Sequence, residues 1–164
     1  MHRLVARIVP IVLAVGLLTA CGEKAADLKE AAQAALDQGD TATAIAKADA
    51  ALTAAGADKV LVWQVQNIRL KARARAGDGE GAKALLAELT ASDKDLVRSA
   101  LYFSVANDLK KAQQNAAAID VLDAGAKTFP GERGAFETAI QDLQKEHPED
   151  PEVIQQLQQL GYLG

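Results

Sequence analysis

The chain has 164 residues, 49% of them hydrophobic and only 4% aromatic, with 18 Lys and Arg against 22 Asp and Glu, a formal net charge of -4. That size suits one domain with a core of modest extent, and the acidic balance argues against nucleic acid as a partner. One cysteine, Cys21, excludes an intrachain disulfide and a thiolate metal cluster, so stability has to come from packing.

The first element in chain order is a leader. Arg3 and Arg7 open the chain, and no charged residue follows from Ile8 to Ala20. A basic start and an apolar run shorter than the roughly 20 residues of a membrane-crossing helix are the pattern of an export signal. The run ends in Leu18-Thr19-Ala20-Cys21. This segment resembles the lipobox of bacterial lipoproteins. The resemblance implies cleavage before Cys21, a lipid on its thiol, and membrane attachment through that lipid. Gly22, rather than aspartate, follows the cysteine, and by the same resemblance this implies an outer-membrane location facing the periplasm. Two or three acyl chains hold a protein stably where one does not. Without its first twenty residues the chain carries 16 basic and 22 acidic residues.

Beyond a short tether at 21–26, the sequence reads as helix after helix, rich in Ala, Leu, Gln, Lys and Glu and nearly free of proline before Pro130. Asp27 and Glu30 have capping-box spacing ahead of Leu28, Ala32, Ala35 and Leu36, and Gly39 ends that helix. Asp40 is placed to cap a second, carrying Ala44, Ala48 and Ala51 to Gly56. Asp58 starts a third with Leu61, Val65, Ile68 and Ala72 to Gly77, and Ala82, Leu85, Leu86 and Leu89 mark its partner. Ser92 and Asp95 suggest another capping box before a helix over 94–112 with Val97, Ala100, Leu101, Val105 and Leu109. A partner from about 116 to 128 bears Ile119 and Leu122. Phe136, Ile140 and Leu143 define a helix between Gly131 and His147, and Asp150-Pro151 opens a last one ending at Gly161.

Three of these pairs share a register. Gly39 to Ala44, Gly77 to Ala82 and Gln113 to Ala118 have the same offset, and the three alanines stand 38 and 36 residues apart. With Tyr102, Ala106, Ala118, Leu122, Gly125 and Pro130 in the third copy, the spacing resembles the tetratricopeptide repeat. The second copy departs from it, with Leu70 at a small position and Gln66 at an aromatic one, while Trp63 falls off register. The fold this implies is all-α: a right-handed stack of antiparallel helix hairpins over 27–130, closed by a capping helix pair over 131–164. A generic helical bundle is the competing architecture.

Catalytic and metal chemistry find little support. His147, the one histidine after residue 20, lies in Glu-His-Pro-Glu-Asp at a helix end. Gly77, Gly79 and Gly81 lack the Lys-Ser/Thr and the preceding strand of a phosphate loop. Asp120 with Asp123, and Glu149 with Asp150 and Glu152, read as solvated surface rather than a metal site. The expectation is therefore a non-enzyme without cofactor or metal. The less routine feature is Arg69, Lys71, Arg73 and Arg75 on one helix. These cations form either a partner-binding cluster, on the helices with which tetratricopeptide domains bind extended peptides, or structural ion pairs with Asp58, Glu88 and the acidic C-terminal region. Residues 132–152 hold seven acids against Arg133 and Lys145. Two functions follow as expectations: an adaptor or scaffold binding another envelope protein in assembly, secretion or polymer export, or a module binding cell-wall or exported polysaccharide.

Overall fold

A computed structural model describes residues 24–163. The leader and Cys21 lie outside the described residues. Within them are eight α-helices: α1 Ala25–Asp37, α2 Thr41–Ala55, α3 Lys59–Arg75, α4 Gly79–Ser92, α5 Ser99–Lys111, α6 Asn115–Thr128, α7 Arg133–Glu146 and α8 Pro151–Gln159, with a 3₁₀ turn at Pro130–Glu132 before α7.

Their ends follow from local chemistry. Asp40, Asp58 and Asp150 accept backbone N–H groups at the starts of α2, α3 and α8, satisfying donors that the helix cannot satisfy itself. Asp78 does the same for α4 by accepting from Gly81 N at 2.9 Å. The helices α1, α3 and α5 stop by one device. Gly39 (φ 80°), Gly77 (φ 77°) and Gln113 (φ 61°) adopt a left-handed conformation. The N–H of each bonds back to Leu36, Ala74 or Lys110, and the next N–H to Ala35, Arg73 or Leu109. This paired turn closes the open carbonyls and sends the chain into the following helix.

Packing follows sequence order. Contacts join α1 to α2, α2 to α3, α3 to α4, α5 to α6 and α6 to α7, which is a succession of hairpins. Alternate helices also meet: α1 with α3, α3 with α5, α4 with α6 and α6 with α8. Ala44, Ala82 and Ala118, each in the first turn or so of α2, α4 or α6, are fully buried. Helix α3 divides the interior. Val65, Ile68 and Ala72 complete a core with α1 and α2, whereas Leu70 and Ala74 join the larger one built with α4 to α8.

Two expected helix starts are corrected. The helix placed at 94 begins at Ser99, with Arg98 at its cap and no capping side chain. Ser92 is the last residue of α4, and its hydroxyl bonds Leu89 O and Asp93. Residues 93–98 form turns in which Leu96 N and Val97 N bond to Asp93 O. Val97 is buried as its pattern suggested, but it anchors this turn instead of a helix face, and Ala100 is exposed. At the N-terminus, α1 starts before Asp27, so that Asp27 lies in the first turn rather than at the cap, where its charge complements the helix dipole.

Candidate functional site

A concave groove lies between α1 and α3. From α1 come Lys29, Glu30, Gln33, Ala34 and Asp37, and from α3 come Trp63, Gln64, Asn67, Ile68 and Lys71, around a groove of about 620 Å³. Both sets recur at three- and four-residue intervals, which places each on one face of its helix. The groove is within the size range of small-molecule sites, roughly 300–1,000 Å³.

Its polar groups are only partly engaged. Lys29 Nζ donates to Gln64 Oε1 at 3.4 Å across the groove. Gln33 Nε2 donates to Asp37 Oδ1 at 2.8 Å, and Asn67 Nδ2 donates to Trp63 O at 2.9 Å. Each carboxamide thus retains an unspent donor or acceptor. Two lysines face two carboxylates among the lining residues, so the groove is polar but close to neutral. Trp63 is half-buried: it packs against the larger core and also forms part of the groove wall. Hydrogen bonding beside an aromatic surface suits a peptide backbone or the hydroxyls and ring faces of a sugar.

Of the four cations in the α3 cluster, only Lys71 lines this groove. Arg69 Nε meets Asp49 on α2 at 2.8 Å. Arg73 Nη1 meets Asp78, the α4 cap, at 2.5 Å. Arg75 sits 3.3 Å from Asp108 on α5 and donates to Leu36 O, at the end of α1, at 3.2 Å. The arginines reach three different neighbours instead of converging on one surface. None of these partners is one the sequence suggested, since Asp58 uses its carboxylate on the N–H groups of Val60 and Leu61.

Other singled-out residues have structural settings. Tyr102 is buried, with its hydroxyl 2.8 Å from Thr90 Oγ1 and 3.4 Å from Thr128 Oγ1. His147 ends α7, its N–H bonded to Leu143 O. Asp120 pairs with Lys83 and accepts from Gln156 Nε2. Desolvation disfavours the charged Lys83, but its bonds to Asp120 and Glu80 outweigh this and raise its pKa. Asp123 pairs with Lys127 and accepts from Tyr162; burial, and then that neighbouring carboxylate, hold the Tyr162 phenol above its usual range. Among the described residues no group of three or more His, Cys, Asp or Glu is placed to hold a metal, and no helix is long and apolar enough to cross a membrane.

Sequence reasoning missed Gln33, Gln64 and Asn67. Their signal was a carboxamide stripe on the exposed sides of two helices, which gains meaning only when those sides face one another. The chain matches no protein-family model, no curated protein and no solved structure.

Proposed function

We propose that this chain is a non-catalytic adaptor, lipid-anchored at Cys21 to the outer membrane and facing the periplasm, that binds a segment of another envelope protein between α1 and α3. The observation that carries the binding role is the groove itself, with Trp63 in its wall and Gln33, Gln64 and Asn67 holding unused hydrogen-bonding capacity. A right-handed, tetratricopeptide-like stack is the architecture this reading adopts. It is supported by the repeated left-handed turn at Gly39, Gly77 and Gln113, and by the buried alanines that follow each turn at a fixed offset. The anchor is supported by the basic start, the apolar run and Leu18-Thr19-Ala20-Cys21.

Crosslinking the membrane-tethered chain and identifying what it holds provides the first half of the test. Asn67→Ala and Trp63→Ala should then each weaken the captured protein about tenfold or more while helicity persists. Binding unchanged by both substitutions refutes the groove assignment. Trp63 also favours one second reading, the glycan module. Retention of a polysaccharide with quenching of Trp63 fluorescence, and no protein captured, would replace the adaptor with it. Mass spectrometry of the mature chain should find Cys21 first and acylated; an unmodified thiol or a retained leader refutes the anchor.

A further inference from the structure

Helices α5 and α7 do not pack along their lengths as α1 does with α3 and α3 with α5. They are bridged at their beginnings by Phe103 and Phe136, stacked with ring centroids 4.3 Å apart. Near their ends, Lys110 Nζ meets Glu146 Oε2 at 2.6 Å. Between these bridges lies a cleft of about 250 Å³ whose apolar lining includes Phe103, Ala106, Leu122, Ala139 and Leu143. This volume is below the roughly 300 Å³ at which small-molecule sites begin, and suits one large side chain of a larger partner.

The rim indicates the partner's charge. Asp142 and Glu146 stand one turn apart on α7 beside the apolar lining, and Lys110 of α5 is the one cation among the lining residues. Both are already paired, Asp142 with Lys145 at 3.1 Å and Glu146 with Lys110. These pairs are substantially solvent-exposed, so an incoming cation can replace either lysine at little cost. The surrounding segment 132–152 has seven acids against Arg133 and Lys145, which favours approach of a basic chain. We infer that the α5–α7 cleft is a second docking surface, taking one large apolar side chain from a basic amphipathic segment of a partner protein, with that segment's cations on Asp142 and Glu146.

The probe is a synthetic amphipathic helical peptide with a leucine face and lysine flanks, compared with a peptide of identical apolar face carrying glutamate. The lysine peptide should bind the full chain and shift the methyl resonances of Ala106, Ala139 and Leu143. The double substitution Asp142→Asn with Glu146→Gln, which leaves the core intact, should weaken it about tenfold. Ala139→Leu, which fills the cleft without altering charge, should do likewise, and Asn67→Ala, outside both cores, should leave it unchanged. Equal binding of the glutamate peptide, methyl shifts confined to residues outside the cleft, or no binding of the lysine peptide would overturn the inference. Because the α1–α3 groove is probed through Trp63 and Asn67, failure of either site is distinguishable from failure of the other.

Discussion

Gln113 occupies the position that Gly39 and Gly77 occupy in the preceding hairpins, and among the described residues it is the one non-glycine residue with positive φ. An L-residue there carries a steric penalty that glycine does not. Gln113→Gly should therefore stabilise the protein by about 0.5–1 kcal/mol, read as an upward shift in the urea midpoint; a fall would refute the strain. Gly125 shows the opposite constraint. A Cβ there would clash with the ring of Phe136. Phe136 is fully buried among Tyr102, Phe103 and Phe129 and has little room to yield. Gly125→Ala should cost about 1–3 kcal/mol, the usual range for overpacking, with loss of near-ultraviolet ring signals as a second readout. An unchanged melting temperature would mean that α7 can move away freely.

Between elements, Arg75 reaches from the last turn of α3 to the end of α1 and to Asp108 in the last turn of α5. Asp108, its partner, is only 6% exposed, so Arg75→Ala would leave a mostly buried carboxylate without its cation. The expected cost is about 1–3 kcal/mol, larger than for Arg69→Ala, since Asp49 is half exposed and can be hydrated. Equal effects of the two substitutions in chemical denaturation would contradict this. Helix starts give a pH dependence. The Asp40 carboxyl is held below its usual value by the backbone N–H and then the hydroxyl of Thr43. For Asp150, desolvation opposes the shift but is outweighed by Asn115 and by the N–H groups of Val153 and Glu152. A pKa lower in the folded than in the unfolded chain gives stability that is present above the ordinary carboxylate value, about 3.9. That stability is lost as pH falls through the folded-state value. Melting temperature should thus fall below about pH 4, and Asp40→Asn, which still caps but does not titrate, should reduce the slope. An unaltered slope in that variant would remove Asp40 from the account.

Across the molecule, the two cores are unequal. The one around α1 and α2 relies on alanines with a few larger residues, Leu28, Leu36, Val65 and Ile68. The other adds Tyr102, Phe136, Ile119, Ile140 and many leucines. Apolar area sets the driving force, about 25 cal/mol per Å², so the N-terminal hairpin should open at lower free energy than the rest. Stacked helix pairs, in which neighbours stabilise one another, permit such partial opening. In hydrogen exchange the amides of Ala32 and Ala48 should exchange sooner than those of Val105, Ile119 and Leu122. Uniform protection would show one cooperative unit instead. If the N-terminal amides exchange first, the α1–α3 groove lies on the more deformable part and the α5–α7 cleft on the firmer one.

The sequence by itself determined the helical class, the hairpin order and most of the turns, because these depend on short-range chemistry. Asp40 and Asp58 are adjacent to the N–H groups they cap, Gly39 and Gly77 occupy turns that need positive φ, and the buried Ala44, Ala82 and Ala118 recur in register. It failed locally at 93–98, where Ser92 and Asp95 mimic a helix start while a turn held by Asp93 and the buried Val97 occupies the interval. Only the tertiary structure decided where the cations of α3 go. Arg69, Arg73 and Arg75 are close in sequence, yet their partners Asp49, Asp78 and Asp108 depend on which helices come alongside. The same holds for Gln33, Gln64 and Asn67, ordinary polar residues on single helices that become a groove when α1 and α3 face each other. Capping and turn formation act over a few residues, whereas ion-pair choice and groove formation depend on inter-helix distances that no local spacing encodes.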